Sequence, residues 1–280
     1  MIREFNINDK AQLIDIVRQD IMIGDEDINF VVDNSNKIIV YDNGQGGILG
    51  FSTFRIWGKD KNKADIYTYV ATASRRKGIG TLLYREIIKN ADSRKLQFVS
   101  SRMKEDKANA FYEKMGYKKW YVGLDLYYDG AKQPESDLNF VNYEDKHFTQ
   151  YAEGLRASFY DMRKANDFEP YLCCELSEEK RKEFQSVKDN LFLLFDNKEL
   201  IASVIVFNNG NIGDVFVTTP YQGKGYGKKV MWFAINKAME KGNSHPALDA
   251  IDWNVRALNL YQSLGFKIKQ ATDYYRLFLQ

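Results

Sequence analysis

TYVATASRRKGIGTLLY, residues 68–84, is the stretch that decides the fold, because a second copy follows as VFVTTPYQGKGYGKKVM at residues 215–231. A later segment, ANAFYEKMGY at 108–117, is repeated as ALNLYQSLGF at 257–266. The copies are separated by nearly constant offsets, 147 positions for the first pair and 149 for the second. Solenoid repeats have periods of only about 20 to 50 residues. The chain is therefore predicted to contain a duplicated domain.

Each copy lies in the same order of apolar segments. In both halves a short apolar strand and a segment of helical periodicity precede strand-like runs, which are KIIVYD and GGILGFSTFRIW in the first half and LFLLFD and LIASVIVF in the second. Asn43-Gly44 and Asn209-Gly210 predict hairpin loops between antiparallel neighbours. The pattern predicts a mixed α/β fold with an N-terminal domain at 1–130, a polar linker at 131–137 and a C-terminal domain at 138–280.

The amino-acid composition excludes several kinds of binding partner. Forty Lys plus Arg against 38 Asp plus Glu leave a formal charge of +2, which argues against nucleic acid. The chain has neither a signal-peptide pattern at its start nor an apolar run near the roughly 20 residues that span a bilayer, so no membrane partner is expected. Two adjacent cysteines, Cys173 and Cys174, favour a reduced cytoplasmic setting, and two isolated histidines predict no metal site. A small-molecule or peptide partner is expected, for a monomer or a homodimer.

The repeated glycine-rich turns are candidate phosphate sites. In each copy an apolar strand runs into a turn that opens a helix, where unpaired backbone N–H groups and the helix dipole attract anions. Neither the dinucleotide nor the P-loop pattern is present, and a purely conformational turn is the alternative, which its duplication argues against. The candidate cofactor-binding residues are Arg75, Arg76, Lys77, Gly78, Ile79, Gly80 and Thr81 in the first half and Gln222, Gly223, Lys224, Gly225, Tyr226, Gly227 and Lys228 in the second.

A tyrosine recurs in the helix of each second repeat. Ala257, Leu260, Tyr261 and Leu264 fall at i, i+3, i+4 and i+7, so Tyr261 lies on the inward face of an amphipathic helix, and Tyr112 has the same spacing in the first half. A core tyrosine with a satisfied hydroxyl is one interpretation. A phenol with an ordinary pKa of about 10 is also protonated at neutral pH and can act as a general acid.

Together these residues resemble the GNAT superfamily of acyl-CoA-dependent N-acetyltransferases. Its signature [QR]-x-x-G-x-[GA] is matched at 75–80 and again at 222–227, and N-x-x-A-x-x-x-Y-x-x-x-G-[FY] is matched from Asn254 to Phe266. The first half departs from the second signature, because Glu105 stands where the asparagine belongs. The resemblance implies two tandem domains, each with a mostly antiparallel mixed sheet whose parallel pair separates around acyl-CoA.

The resemblance also implies a reaction, the transfer of an acetyl group from acetyl-CoA to a primary amine by direct attack. Backbone groups near Val70 and Val217 would pair with the pantetheine arm, and Asn254 would belong to the cofactor site. Tyr112 and Tyr261 would protonate the departing thiolate. The base does not carry over by motif.

Two carboxylates just upstream of the turns are candidates for that base. They are Asp214 in the second half and Asp65 in the first, with a solvated strand-end carboxylate as the alternative for both. The segment 151–174 lies where such domains place helices that face the acceptor.

The two halves differ in how completely they match. Asn254 and Tyr261 occur together only in the second half, which makes that half the expected catalyst, with both halves expected to bind acyl-CoA. One alternative is an acyl-CoA-binding regulatory protein in which one or both domains are non-catalytic. Another is a purely structural N-terminal domain, for which Glu105 is the support.

Overall fold

The apolar runs of the sequence become the strands of mixed sheets. The computed structural model describes residues 1–18, 25–58, 60–92, 96–103 and 109–279. Contacts divide the chain into a first unit, Met1–Tyr121 with Thr272–Gln280, and a second unit, Val122–Ala271. The end of one long strand therefore belongs to the first unit although it follows the second repeat in sequence. The contiguous bounds 1–130 and 138–280 remain a prediction about the repeat.

The elements follow the repeated order expected from the sequence. The first half contains β1 (Ile2–Glu4), α1 (Lys10–Arg18), α2 (Asp25–Asn34), β2 (Lys37–Asp42), β3 (Ile48–Trp57), β4 (Lys63–Val70), α3 (Ile79–Ile87), α4 (Lys89–Asp92), β5 (Phe98–Met103), α5 (Asn109–Lys114) and β6 (Lys118–Tyr128). The second half contains β7 (Phe140–Asn142), α6 (Phe148–Ala165), α7 (Glu178–Ser186), β8 (Leu191–Asp196), β9 (Glu199–Val206), β10 (Asn211–Val217), α8 (Tyr226–Glu240), β11 (Ala247–Ile251), α9 (Val255–Ser263) and β12 (Phe266–Phe278).

Each unit completes its sheet with a strand from the other half of the sequence. In the first unit the order is β1-β2-β3-β4-β5-β12, and residues 273–278 of β12 pair antiparallel with β5. In the second unit the order is β6-β11-β10-β9-β8-β7, and residues 123–127 of β6 pair antiparallel with β11. Within the described residues these two sheets thus share one plan, four antiparallel strands, a parallel partner and a final antiparallel strand.

The parallel pair of each sheet separates soon after it forms. Strands β4 and β5 are paired only from Lys63–Phe98 to Asp65–Ser100. Strands β10 and β11 are paired only at Asn211–Ala247 and Ile212–Leu248. Beyond these pairs the strand that leads into the glycine-rich turn has no partner on that side among the described residues. The expected splayed sheet is confirmed in both units.

Apolar side chains of the second unit form two cores on opposite faces of its sheet. Val204, Ile212 and Leu248 pack on one face with helices α8 and α9. Ile205 and Phe216 pack on the other face with helices α6 and α7. Because successive strand residues point to opposite faces, the alternation of Val204 and Ile205 assigns each face to one pair of helices. The face of α6 and α7 is called the α6 face below.

Glycines end the tyrosine helices as expected. Gly116 follows α5 with φ 89°, and Gly265 follows α9 with φ 101°, both in the left-handed region that favours glycine. The predicted turns at Asn43-Gly44 and Asn209-Gly210 join antiparallel neighbours, β2 to β3 and β9 to β10. In the part of the chain that the structure describes, no helix has the length and apolarity that crossing a bilayer requires.

Candidate active site

The two glycine-rich turns have the same backbone path. Gly78 and Gly225 precede helices α3 and α8 with φ 82° and 86°, and Gly223 has φ 76°. At the position equivalent to Gly223 the first unit has Arg76, which adopts φ 63° despite its side chain. Positive φ is energetically unfavourable for a residue with a side chain. The turn as a whole, rather than the local preference of Arg76, therefore imposes the repeated path.

The helix starts that follow these turns leave their first backbone donors uncapped. Neither Gly78 nor Gly225 offers a side chain that could cap the first turn. A Cβ at either glycine would have no atom of the described residues within 4 Å, so the space beside each glycine is open. Open N–H groups at a helix start fit a phosphate group, and the residues present therefore fit the pyrophosphate of acyl-CoA.

The first residue of each turn motif is tied to its own strand. The Nε atom of Arg75 donates to the Val70 carbonyl at 2.9 Å, and the Nε2 atom of Gln222 donates to the Val217 carbonyl at 2.8 Å. An arginine in one copy and a glutamine in the other thus make the same hydrogen bond. The bond closes the turn against the end of its strand, a bracing role that the sequence did not reveal.

The amides of Val70 and Val217 point into the gaps between the separated strands. Ala71 and Thr218 donate their N–H groups to β3 and β9, at 2.9 Å to Leu49 O and 2.9 Å to Ile201 O. Adjacent residues of a strand direct their N–H groups to opposite sides. The preceding residues, Val70 and Val217, therefore direct theirs toward β5 and β11, where a pantetheine arm is expected.

Three lysines of the turns contact neighbouring groups of their own unit. Lys77 donates to the Ala73 carbonyl at 3.1 Å, which holds its ammonium group beside the turn. Lys224 and Lys228 lie over the rings of Tyr221 and Trp232, at 5.3 and 5.2 Å from the ring centroids. The remaining candidates Ile79, Gly80, Thr81, Tyr226 and Gly227 form the first residues of α3 and α8.

In the second unit helix α9, which carries Tyr261, packs closely against helix α8 at Gly227. A Cβ at Gly227 would lie 3.3 Å from Leu260 Cδ2, so the two helices approach closely here and an alanine would require the Leu260 side chain to move by a few tenths of an ångström. Tyr261, one residue further along α9, is 8% exposed, and burial raises its pKa to about 12. Among the described residues its hydroxyl makes no hydrogen bond. A buried phenol in this state is protonated at neutral pH.

The first unit surrounds its tyrosine with hydroxyl groups instead. Tyr112 is 2% exposed, and burial raises its pKa, while the polar groups of Ser101 and Thr68 oppose that rise. Ser101 lies on β5 and Thr68 on β4. The hydroxyl of Tyr112 therefore lies between the two strands that separate, and it has polar neighbours there.

Asn254 begins the tyrosine helix of the second unit. Its Oδ1 atom accepts a hydrogen bond from the Ala257 N–H at 3.2 Å, so its carbonyl oxygen serves as the helix cap. Arg256 lies beside it, and its Nη1 atom donates to Gln222 Oε1 at 2.7 Å. Arg256 thus brings a positive charge next to the glycine-rich turn at 222–227. This contact was not predicted from the sequence. Glu105, the first-half departure, lies outside the described residues.

A β-bulge interrupts β10 at Asp214. Gly213 pairs with Ile205 and Phe216 with Ser203, so three steps along β10 match only two along β9. Asp214 has φ 44°, in the left-handed region. A bulge inserts one unpaired residue and redirects a side chain. Here it turns the Asp214 carboxyl toward the α6 face, where the Tyr151 hydroxyl of α6 donates to its Oδ2 atom at 3.2 Å.

The Asp214 carboxyl is both reached by solvent and crowded by protein. Asp214 is an exposed residue, yet desolvation by the surrounding chain raises its pKa, and the Tyr151 hydrogen bond opposes that rise. Within the described residues Asp214 makes no ion pair, and its Oδ1 atom accepts no hydrogen bond.

Asp65, the other candidate base, has a different environment. Arg55 on β3 pairs with its Oδ2 atom, and the Ser100 hydroxyl on β5 donates to its Oδ1 atom. Strand β4 is also in unbroken register with β3 from Lys63 to Val70. Both oxygens of this carboxylate are therefore occupied, and no bulge redirects it.

Two further carboxylates face the same side as Asp214. Asp125 of β6 and Asp249 of β11 are directly opposite each other in the antiparallel register. Their neighbours Leu124 and Leu248 pack in the core with α8 and α9, so the aspartates point to the α6 face. Desolvation, and then the charge of Asp125, raise the pKa of Asp249.

Family models match both halves of the chain. A model described as acetyltransferase (GNAT) domain matches residues 33–119, and one described as acetyltransferase (GNAT) family matches residues 156–266. Together they span more than half of the sequence and contain both glycine-rich turns. The chain belongs to the GNAT acetyltransferase family. Its two matched regions make it a tandem member, as the repeat predicted.

Curated relatives of this GNAT protein resemble it over a short segment. A thialysine N-epsilon-acetyltransferase from Bos taurus is 40% identical over 52 residues, which are 19% of this chain and 31% of the relative. An L-ornithine N5-acetyltransferase from Arabidopsis thaliana is 35% identical over 57 residues, 20% of this chain and 25% of the relative. The chain thus spans about a quarter to a third of these relatives.

Solved GNAT structures share the fold over the whole chain. A GCN5-related N-acetyltransferase from Sphaerobacter thermophilus superposes with a TM-score of 0.72 at 14% identity, covering 99% of this chain and 95% of the other. A tandem GNAT protein from the clavulanic acid biosynthesis pathway superposes with a TM-score of 0.61 at 12% identity, covering 99% and 98%. At these identities the likeness concerns the fold alone.

Proposed function

We propose that this protein transfers an acetyl group from acetyl-CoA to a primary amine of a small molecule or peptide, and that the second unit carries the chemistry. The observation that carries the proposal is the bulge in β10. It presents Asp214 on the α6 face with one oxygen engaged by Tyr151 and the other without a hydrogen-bond partner among the described residues. A carboxylate with one unoccupied oxygen can accept a proton from an acceptor amine.

The other groups of the second unit have complementary roles. Acetyl-CoA, when bound, supplies the activated acyl thioester. The uncapped start of α8 would hold its phosphates, and the Val217 N–H would donate to the acyl oxygen as negative charge develops there. Tyr261 would give its proton to the departing thiolate, because burial keeps the phenol protonated at neutral pH.

Charge on the α6 face favours a cationic acceptor. Asp125 and Asp249 add negative charge to the face that carries Asp214, which would attract an amine in its protonated form. Relatives named for thialysine and ornithine act, by those names, on an ε-amine and on N5. Acceptors with a side-chain amine are therefore the first to test.

The test is acetyl transfer by the full chain. Purified protein would be mixed with acetyl-CoA and a panel of amines that includes lysine, ornithine, thialysine, diamines and peptides, and acetylated product would be measured by mass spectrometry. We expect amine-dependent product with at least one side-chain amine. Binding of acetyl-CoA without product from any amine would contradict the proposal and favour the alternative, an acyl-CoA-binding regulatory protein.

A further inference from the structure

The Tyr151 hydroxyl holds the carboxyl of the proposed base from a fully buried position. Tyr151 is 0% exposed, and its ring lies among aromatic side chains, 4.8 Å from Phe184 and 5.7 Å from Phe216 between ring centroids. Rings at these distances fix the direction of the phenol. Its hydroxyl therefore reaches the Asp214 Oδ2 atom from a rigid support.

We propose that Tyr151 is the positioning residue for Asp214, holding Oδ2 so that Oδ1 faces the acceptor amine as the proton-accepting atom. This inference rests on the proposed function. Two observations support it independently of any titration. Asp214 lies in a bulge with φ 44°, and the Tyr151 hydroxyl is the one hydrogen-bond donor to its carboxyl in the described part of the chain.

The hydrogen bond also affects when Asp214 is ionised. Desolvation raises the pKa of Asp214, whereas the Tyr151 hydrogen bond lowers it. Charged groups from the packed elements act as well, because Arg163 of α6 and Lys180 of α7 lower this pKa and Glu183 of α7 raises it. The charge of Asp214 in turn raises the pKa of the Cys173 thiol, although burial raises that pKa more. Loss of the Tyr151 donor would leave the other groups unchanged and would raise the pKa of Asp214.

The sign of the pH effect follows directly. The base must be deprotonated to act, so kcat/KM falls on the acid side of the Asp214 pKa. In Tyr151→Phe that pKa is higher, and the acid limb moves to higher pH. A hydrogen bond to a charged group corresponds to about one pH unit. At a pH below the limb, kcat/KM would fall about tenfold beyond any loss seen at high pH.

Tyr143→Phe is a matched control. Tyr143 belongs to the same buried aromatic cluster, 6.0 Å from the Tyr151 ring, and its hydroxyl has no hydrogen-bond partner among the described residues. Both substitutions remove one buried hydroxyl and keep the ring, so both variants should fold, which thermal melting checks. We expect Tyr143→Phe to keep the wild-type pH profile. Equal loss of activity at every pH in Tyr151→Phe, with no shift, would reduce Tyr151 to a packing role.

Two further measurements separate this inference from the proposed function. Carbon-13 NMR of labelled aspartate would give the Asp214 pKa in wild type and in Tyr151→Phe without any turnover, with Asp214→Asn used to assign the signal. We expect a higher pKa in Tyr151→Phe, and an unchanged pKa would overturn the inference even in an active enzyme. In an Asp214→Asn background, Tyr151→Phe should cause no further loss of activity. If wild type acetylates no amine, the proposed function fails, while the NMR titration still decides the coupling.

Discussion

The strand that leads into the glycine-rich turn pairs differently with its neighbour in the two units, because one of them contains an extra residue. In the first unit β4 pairs with β3 at every position from Lys63 to Val70, whereas in the second unit β10 contains one residue more than β9 between Gly213 and Phe216. The extra residue presents Asp214 on the α6 face, while Asp65 is paired with Arg55. The two glycine-rich turns have the same backbone path, but the strands before them place their aspartates in different environments.

A second difference concerns the tyrosines. Tyr112 and Tyr261 are both buried on equivalent helices, but only the pKa of Tyr112 is influenced by polar groups of its own unit, those of Thr68 and Ser101. These differences support the proposal that both units bind acyl-CoA and the second carries the chemistry, because both oxygens of Asp65, the candidate base of the first unit, are occupied.

The largest effect is expected from removing Asp214, the proposed base. Asp214→Asn keeps the size of the side chain and removes its proton affinity, so we expect kcat/KM to fall about 10³-fold, within the range for general base catalysis. Asp65→Asn is the matched variant and should change kcat/KM by less than about threefold. Steady-state kinetics at saturating acetyl-CoA would measure both. Equal losses in the two variants would contradict the assignment of chemistry to the second unit.

A smaller effect is expected from the proposed acid. Tyr261→Phe removes the proton donor and keeps the ring, so kcat should fall about 10²-fold while acetyl-CoA binding stays nearly unchanged. Tyr112→Phe should leave kcat close to wild type. Kinetics together with calorimetric titration of acetyl-CoA would check both points. Unchanged turnover in Tyr261→Phe would remove this residue from the role, and a matching loss in Tyr112→Phe would make the first unit a catalyst too.

Much of this comparison could be read from the sequence, because local patterns determine the elements. KIIVYD became β2 with the same bounds, and Gly116 and Gly265 end their helices as their positions predicted. The bulge in β10 was not predicted, because strand register depends on the partner strand. Gly213 inside a strand pattern was nevertheless a signal for it. Arg55 and Asp65 meet across neighbouring strands, and the partners of β6 and β12 are much more remote in sequence. Such pairings are set by the fold rather than by spacing.

The smallest effect is expected from substituting a glycine in the glycine-rich turn of each unit. These substitutions test whether both units bind acyl-CoA. Gly78→Ala and Gly225→Ala place a Cβ at φ 82° and 86°, where no atom within 4 Å opposes it, so the cost is in the backbone alone. That cost is about 1 to 2 kcal/mol, and a turn that relaxes in the free protein must recover this conformation on binding, which would weaken acetyl-CoA binding about tenfold at the altered turn.

Gly44→Ala is the control for these two variants, because this hairpin glycine has φ 86° and equally open surroundings away from either turn. We expect calorimetry to give two acetyl-CoA molecules per wild-type chain and per Gly44→Ala chain, with one site weakened in each turn variant. Only Gly225→Ala should raise the KM for acetyl-CoA, because turnover is assigned to the second unit. A single site in wild type, abolished by Gly225→Ala and untouched by Gly78→Ala, would mean that the first unit keeps the turn without the ligand, and its repeated backbone path would then be a property of folding rather than of binding.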